Sequence, residues 1–250
     1  MNMKKISLML APLLFTAALS CSDSGKSLSE KAEKEFQLTE KTALNKQIAD
    51  LNKSLKEAKT DFEKAGIHTN IALINSEKGN IIASMKSAEE AVRFQPNQYM
   101  SHYLLGKSYV GLGRYNDAIA ALDKSIDLKK NFAPAYFELG NAYYKKFDLN
   151  SARENYRKAV RHDPELVDAY NNLGAIQIAL GALAEAEKNL MTCIRIDPAY
   201  AAAYKNLGIL YDTKTGNAAK AIENYGSYLR LKPDCPERNL VKMWISALKG

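Results

Sequence analysis

One interval constrains this chain more than any other feature. Gly106, Gly140, Gly174 and Gly208 stand 34 residues apart, and each follows a leucine: Leu105, Leu139, Leu173 and Leu207. Three residues before each leucine comes His102, Tyr136, Tyr170 or Tyr204, and three after each glycine comes Tyr109, Tyr143, Gln177 or Tyr211. Offsets of three and four place these residues on one stripe of an α-helix. A second stripe follows in each copy: Ala118, Leu122 and Ser125; Ala152, Tyr156 and Ala159; Ala186, Leu190 and Cys193; Ala221, Tyr225 and Tyr228. The breakers "GLGRYND", "KFDLN" and "ALGAL" separate the stripes, and Pro164, Pro198 and Pro233 follow three of the second helices. Proline cannot continue a helix and holds the preceding residue extended. Small residues such as Gly174 and Ala186 let the two helices of a unit approach, where a larger group overpacks. Units of this kind cannot cover their apolar faces alone and must stack on their neighbours.

Helix, tight turn, helix and proline at this period make residues 99–235 resemble the tetratricopeptide repeat (TPR) family. A fainter copy over residues 65–98 carries Ile71, Ala72, Gly79, Ser84, Ala88, Ala91 and Pro96 at matching offsets, without the aromatics. The resemblance implies an all-α chain, a right-handed α-solenoid of about five helix-turn-helix units. These are expected at 65–98, 99–132, 133–166, 167–200 and 201–235, with an N-terminal helix at 30–64 and a capping helix at 236–250. In the last repeat "DTKTGNAAKA" holds one extra residue, so Ala221 rather than Lys220 takes the small position. Pro236 is expected to open the capping helix, whose Leu240, Val241, Trp244, Ala247 and Leu248 form an apolar stripe.

The first 64 residues read differently. Lys4 and Lys5 precede an apolar run over residues 6–19, then Ser20, Cys21 and a polar stretch. Basic, apolar, small is the order of an export signal, and the run is shorter than a membrane-spanning helix needs. "ALSC" resembles a bacterial lipobox, with Ala18 where Leu is usual. This implies a lipoprotein-type signal over 1–21, a lipid on Cys21 and a Ser-rich linker over 22–29. The expected place is the outer membrane facing the periplasm, or the cell surface. An ordinary signal-peptidase cut after Ser20 is the other reading. Leu44, Ile48, Leu51, Leu55, Ala58 and Phe62 step by four and three as a short heptad seam. It suits either a cap on the first repeat or homo-oligomerisation through residues 44–62.

Chemistry is thin. The formal net charge of +7 is dispersed rather than clustered, so nucleic acid is not an expected partner. His68 and His102 occupy the repeat's first aromatic position, His162 adjoins Asp163, and no pair has metal-ligand spacing. Cys193 falls on a buried stripe with no orienting base, and no Gly-rich phosphate loop is present. We therefore expect no catalytic residue, no metal and no cofactor, and no bridge between Cys193 and Cys235.

The resemblance also implies that the first helices of successive repeats line a groove for a protein or peptide partner. Carried over by position, the groove residues are Tyr103, Lys107, Phe137, Asn141, Tyr144, Lys145, Asn171 and Lys205. Tyr103, Phe137 and Tyr144 are expected as exposed apolar anchors, and the polar residues as contacts to peptide backbone or acidic groups. Asn141 and Asn172 match the asparagines with which some TPR domains clamp a terminal carboxylate. Phe137, Ala202 and Asn206 replace the basic residues of that clamp, so a carboxylate clamp is not expected. The implied function is a non-catalytic, membrane-anchored interaction scaffold. Finer versions are a pilotin or assembly factor of an outer-membrane machine (a type IV pilus secretin or the barrel-assembly complex), or an adaptor recruiting a cell-wall enzyme.

Overall fold

The computed structural model describes residues 23–250. Among the described residues there are twelve α-helices and no strand. They are α1 (Asp23–Glu57), α2 (Asp61–Glu77), α3 (Ile81–Phe94), α4 (Tyr99–Gly111), α5 (Tyr115–Leu128) and α6 (Ala133–Lys145). Then come α7 (Leu149–His162), α8 (Val167–Ala179), α9 (Leu183–Ile196), α10 (Ala201–Thr213), α11 (Ala218–Leu231) and α12 (Arg238–Ala247). The chain divides into two compact units, one ending at Lys53 and the other running Ser54–Gly250. The first unit contains most of α1, on which Leu44, Ile48 and Leu51 are half-exposed. The second unit contains the repeats.

The N-terminal expectations need correction. Cys21 and the signal-like segment lie outside the described residues. The supposed linker is helical from Asp23 onward. It holds no proline, the residue that would stop a helix outright, and its Lys26 and Leu28 are good helix formers. The expected single helix to residue 64 is interrupted after Glu57, which leaves Ala58 between helices and Phe62 in the first turn of α2, 73% exposed. The cause is a capping box. Glu63 N–H donates to Thr60 Oγ1 at 3.1 Å, while Thr60 N–H donates to the Glu63 carboxylate at 3.0 Å. This Thr-x-x-Glu arrangement satisfies orphan donors and starts a new helix, so the heptad seam does not run to Phe62.

In the second unit α2 packs on α3, α4 on α5, α6 on α7, α8 on α9 and α10 on α11, and each pair packs on the next. The second-stripe residues are all buried: Ala118, Leu122 and Ser125, and their counterparts through Ala221, Tyr225 and Tyr228. Close approach explains the recurring glycine. A Cβ on Gly174 would stand 2.6 Å from Leu190 Cγ, and one on Gly140 would stand 2.7 Å from the Tyr156 ring. The first aromatic position has its own task. Tyr136 hydroxyl donates to Lys130 O at 3.0 Å, Tyr204 to Pro198 O at 3.2 Å, and His102 Nε2 meets Pro96 O at 2.7 Å. Each reaches back six residues to the connection that precedes its helix, so a histidine there is a structural staple.

The prolines act as their chemistry demands. Asp163, Asp197 and Lys232 precede them and have φ of −138°, −129° and −130°, which ends α7, α9 and α11. Cys193 is buried and unpaired, with its thiol pushed up to about 12 by burial, and Cys235 is also a free thiol. At the C-terminus α12 packs on α11 through the fully buried Val241, with Trp244 against the Tyr225 ring at 5.3 Å. Two details differ from expectation. Pro236 stays outside the helix, which starts at Arg238 after the N-cap Glu237, and Leu240 is 46% exposed.

Candidate peptide-binding groove

Two cavities meet on the face formed by the first helices of the repeats. One, of about 340 Å³, is lined by Val110 of α4, Asn141, Tyr144 and Lys145 of α6, Tyr156 of α7, and Asn172 and Ala175 of α8. The other, of about 320 Å³, is lined by Ile81, Ser84, Lys107, Ser108, Val110 and Glu138. Val110 belongs to both walls, so they form one trough from α2 to α8.

The floor carries a directional chain of amides. Asn206 Nδ2 donates to Asn171 Oδ1 at 2.8 Å, and Asn171 Nδ2 donates to Asn172 Oδ1 at 3.2 Å. Asn172 Nδ2 donates to Asn141 Oδ1 at 3.4 Å, and Asn141 Nδ2 donates to Glu138 Oε2 at 3.0 Å. Every donor points the same way, from α10 through α8 to a carboxylate on α6. Such chains polarise one another and hold their members rigid. A primary amide has two N–H donors and a two-lone-pair oxygen. Asn172 Nδ2 also donates to the Tyr156 hydroxyl at 3.4 Å, so its amide is fully engaged, whereas Asn141 spends one N–H on Glu138 and keeps a second that can serve a ligand carbonyl. Burial pushes the Glu138 carboxyl up, and nearby Asp168 adds to this, while Asn141 and Lys107 pull it down.

The eight expected groove residues divide sharply. Tyr144 is 48% exposed, and Lys145 and Lys107 are exposed beside the trough. Asn141 lies in it as described. Tyr103 and Phe137 are not free anchors. Tyr103 meets the Phe132 ring edge-on at 5.1 Å, and burial raises its phenol above the usual range. Phe137 lies tilted on Tyr156 at 5.7 Å within the α6–α8 core. Both rings fill the junction between neighbouring repeats. Asn171 is 8% exposed and spends its amide inside the chain of asparagines.

Lys205 is engaged as well. Its Nζ lies 2.9 Å from the Glu237 carboxylate, which also accepts the Tyr228 hydroxyl at 2.7 Å. These two partners, Tyr228 first, hold Glu237 down to about 2. Sequence reasoning assigns no role to Glu138, Glu237 or the Tyr156 hydroxyl. For Glu138 a signal exists: the sixth residue of three successive first helices is Glu138, Asn172 and Asn206, whereas the preceding repeat has Leu104. Glu237 stands outside the repeat and has no such signal.

Among the described residues, no cluster of three or more His, Cys, Asp or Glu side chains could hold a metal ion. No helix among them is long and apolar enough to cross a membrane.

Comparison with known proteins agrees with this architecture. Residues 107–146 match a family model described as TPR repeat, and residues 133–166 and 167–200 each match one described as tetratricopeptide repeat. No curated protein matches the chain in sequence. Among solved structures, the MamA protein is 26% identical, with 68% of this chain and 93% of that one covered and a TM-score of 0.59. YrrB, described as a TPR protein with an unusual peptide-binding site, is 21% identical over 77% of this chain and 97% of its own, with a TM-score of 0.61. The thermophilic TPR protein TTC0263 of Thermus thermophilus is 19% identical over 74% and 100%, with a TM-score of 0.57. The likeness to the last two is one of fold. With stacked helix pairs, glycine contacts and family matches in agreement, residues 107–200 of this chain are tetratricopeptide repeats.

Proposed function

We propose that the protein is a non-catalytic scaffold that holds an extended segment of a partner protein in the trough between α2 and α8. The carrying observation is the head-to-tail chain from Asn206 to Glu138. An extended peptide offers alternating N–H and C=O groups, and a rigid row of amides matches both without selecting side chains strongly. Tyr144 and the wall residues Val110 and Ala175 supply apolar contact, and Tyr144 is the exposed aromatic best placed as an anchor. The description of YrrB as holding a peptide-binding site supports this use of the fold.

On this reading the chain works at a membrane, held by a lipid on Cys21 after export. Its place is then the outer membrane facing the periplasm, or the cell surface. The support is the sequence pattern of the first 21 residues.

A photo-crosslinking residue at Tyr144 tests the groove, with one at Met191 on α9 as control. The expected result is an adduct specific to the Tyr144 position, reduced in an Asn141→Ala/Asn172→Ala variant that remains folded. Identical adducts from both positions overturn the groove reading. Palmitate labelling tests the anchor separately, and unchanged labelling of Cys21→Ala overturns it.

A further inference from the structure

The turn inside each repeat uses a left-handed residue. At four of the five turns it is glycine: Gly79 (φ 71°), Gly113 (74°), Gly181 (77°) and Gly216 (65°). At the fifth it is Phe147, with φ 60°, the one non-glycine residue in that region among the described residues. A bulky side chain is strained there. Its ring is also 89% exposed, the most exposed large apolar side chain among those described. The residue therefore violates two local rules and gains no internal packing in return. Backbone strain combined with an exposed aromatic points to an external contact.

Phe147 is not isolated. Ile82 is 56% exposed beside the first turn, Leu112 is 37% exposed in the second and Leu180 is 36% exposed in the fourth. Neighbouring turns touch: the Ile81 side chain lies against Gly111, and Lys146 Nζ reaches Asn116 Oδ1 at 2.7 Å. Apolar tips thus mark the turn edge over four repeats. Both signs of charge lie there: Asp117 is ion-paired with Arg114, Asp148 caps α7 through Ser151 N–H, and Asp212 accepts the Tyr225 hydroxyl. Lys145 and Lys146 directly precede Phe147, and Lys145 and Lys214 are exposed.

We infer that this turn edge rests on an anionic lipid surface, with Phe147 inserted among the headgroups and Lys145, Lys146 and Lys214 facing lipid phosphates. A protein partner would need a pocket for each separated tip. A fluid headgroup layer needs only that the tips share an edge, and it accepts an aromatic ring beside lysines whose stems snorkel. Anionic lipids attract such lysines within a Debye length. The edge shares Lys145 and Ile81 with the rim of the trough, while Phe147, Lys146 and Lys214 stand outside its lining.

The test uses the full chain with a tryptophan probe, Phe147→Trp, read against Met191→Trp on α9, each compared with wild type to subtract Trp244. Vesicles are phosphatidylcholine alone or mixed with phosphatidylglycerol, with brominated acyl chains as quencher. The local probe reports the turn edge however the rest of the chain is held. Phe147→Trp emission is expected to shift blue and be quenched more than Met191→Trp, most with phosphatidylglycerol and less as salt is raised. Equal quenching of the two probes overturns the proposal. So does a Phe147→Trp shift that appears without vesicles as protein concentration rises, which would mean contact between copies of the chain.

Discussion

The Tyr156 hydroxyl donates to Asn141 Oδ1 at 2.6 Å, so one side chain joins the core of a repeat to the floor of its groove. The ring fills the space left by Gly140, while the oxygen orders the amide chain. Tyr156→Phe keeps the first role and removes the second. The expected cost is about 1 kcal/mol of stability, the net worth of one hydrogen bond. A denaturant titration measures it, and an unchanged midpoint would show that the hydroxyl contributes nothing to the fold.

Gly174 tests the close approach directly. A Leu at this position meets Leu190 and the Ala186 carbonyl, and overpacking of this kind costs roughly 1–3 kcal/mol. The Gly174→Leu variant is expected to melt measurably lower by circular dichroism. An identical melting curve would contradict the α8–α9 packing.

Phe147→Gly acts in the opposite direction. It removes a left-handed non-glycine residue, whose strain is roughly 1–2 kcal/mol, at a position whose ring stands clear of the hydrophobic core. Glycine also adds freedom to the unfolded chain, which offsets part of the gain. The expected net is a rise of about 1 kcal/mol at most, read as a higher melting temperature. A lower melting temperature would show that the ring has an internal partner.

Glu237 predicts a pH dependence. Its carboxyl is lowered from 4.5 to about 2 by Tyr228 and Lys205. A depressed folded-state value means the native state binds its proton less readily than the unfolded chain. Its contribution is therefore complete above about pH 4.5 and is lost as pH falls toward 2. Glu237→Gln should be less stable than wild type at pH 6, and the difference should shrink between pH 4.5 and pH 2. A difference independent of pH would assign the effect to packing.

Stacking was legible in the sequence because its causes repeat. Leu173 with Gly174 and Ala186 with Leu190 recur at one period, and repetition exposes a shared constraint. The groove was less legible. Tyr103 and Phe137 occupy positions that face a groove in the family, yet each lies against a ring from a neighbouring element, Phe132 or Tyr156. Large aromatics at a junction cannot be told from anchors by register alone. The heptad seam failed for another reason: apolar spacing passed over the capping signal at Thr60 and Glu63, which ends the continuity that spacing suggests.

The sequence alone determined the helical pairs, their order and the small positions that join them, because period and residue size act locally on each unit. Tertiary structure decided which side chains remain available. Asn171 varies among the repeats and reads as a free contact, yet it is committed to Asn172 and Asn206. Lys205 reads as a ligand group, yet it is held by a carboxylate 32 residues away. Availability depends on partners brought in from other repeats, and those pairings exist only once the helices have stacked.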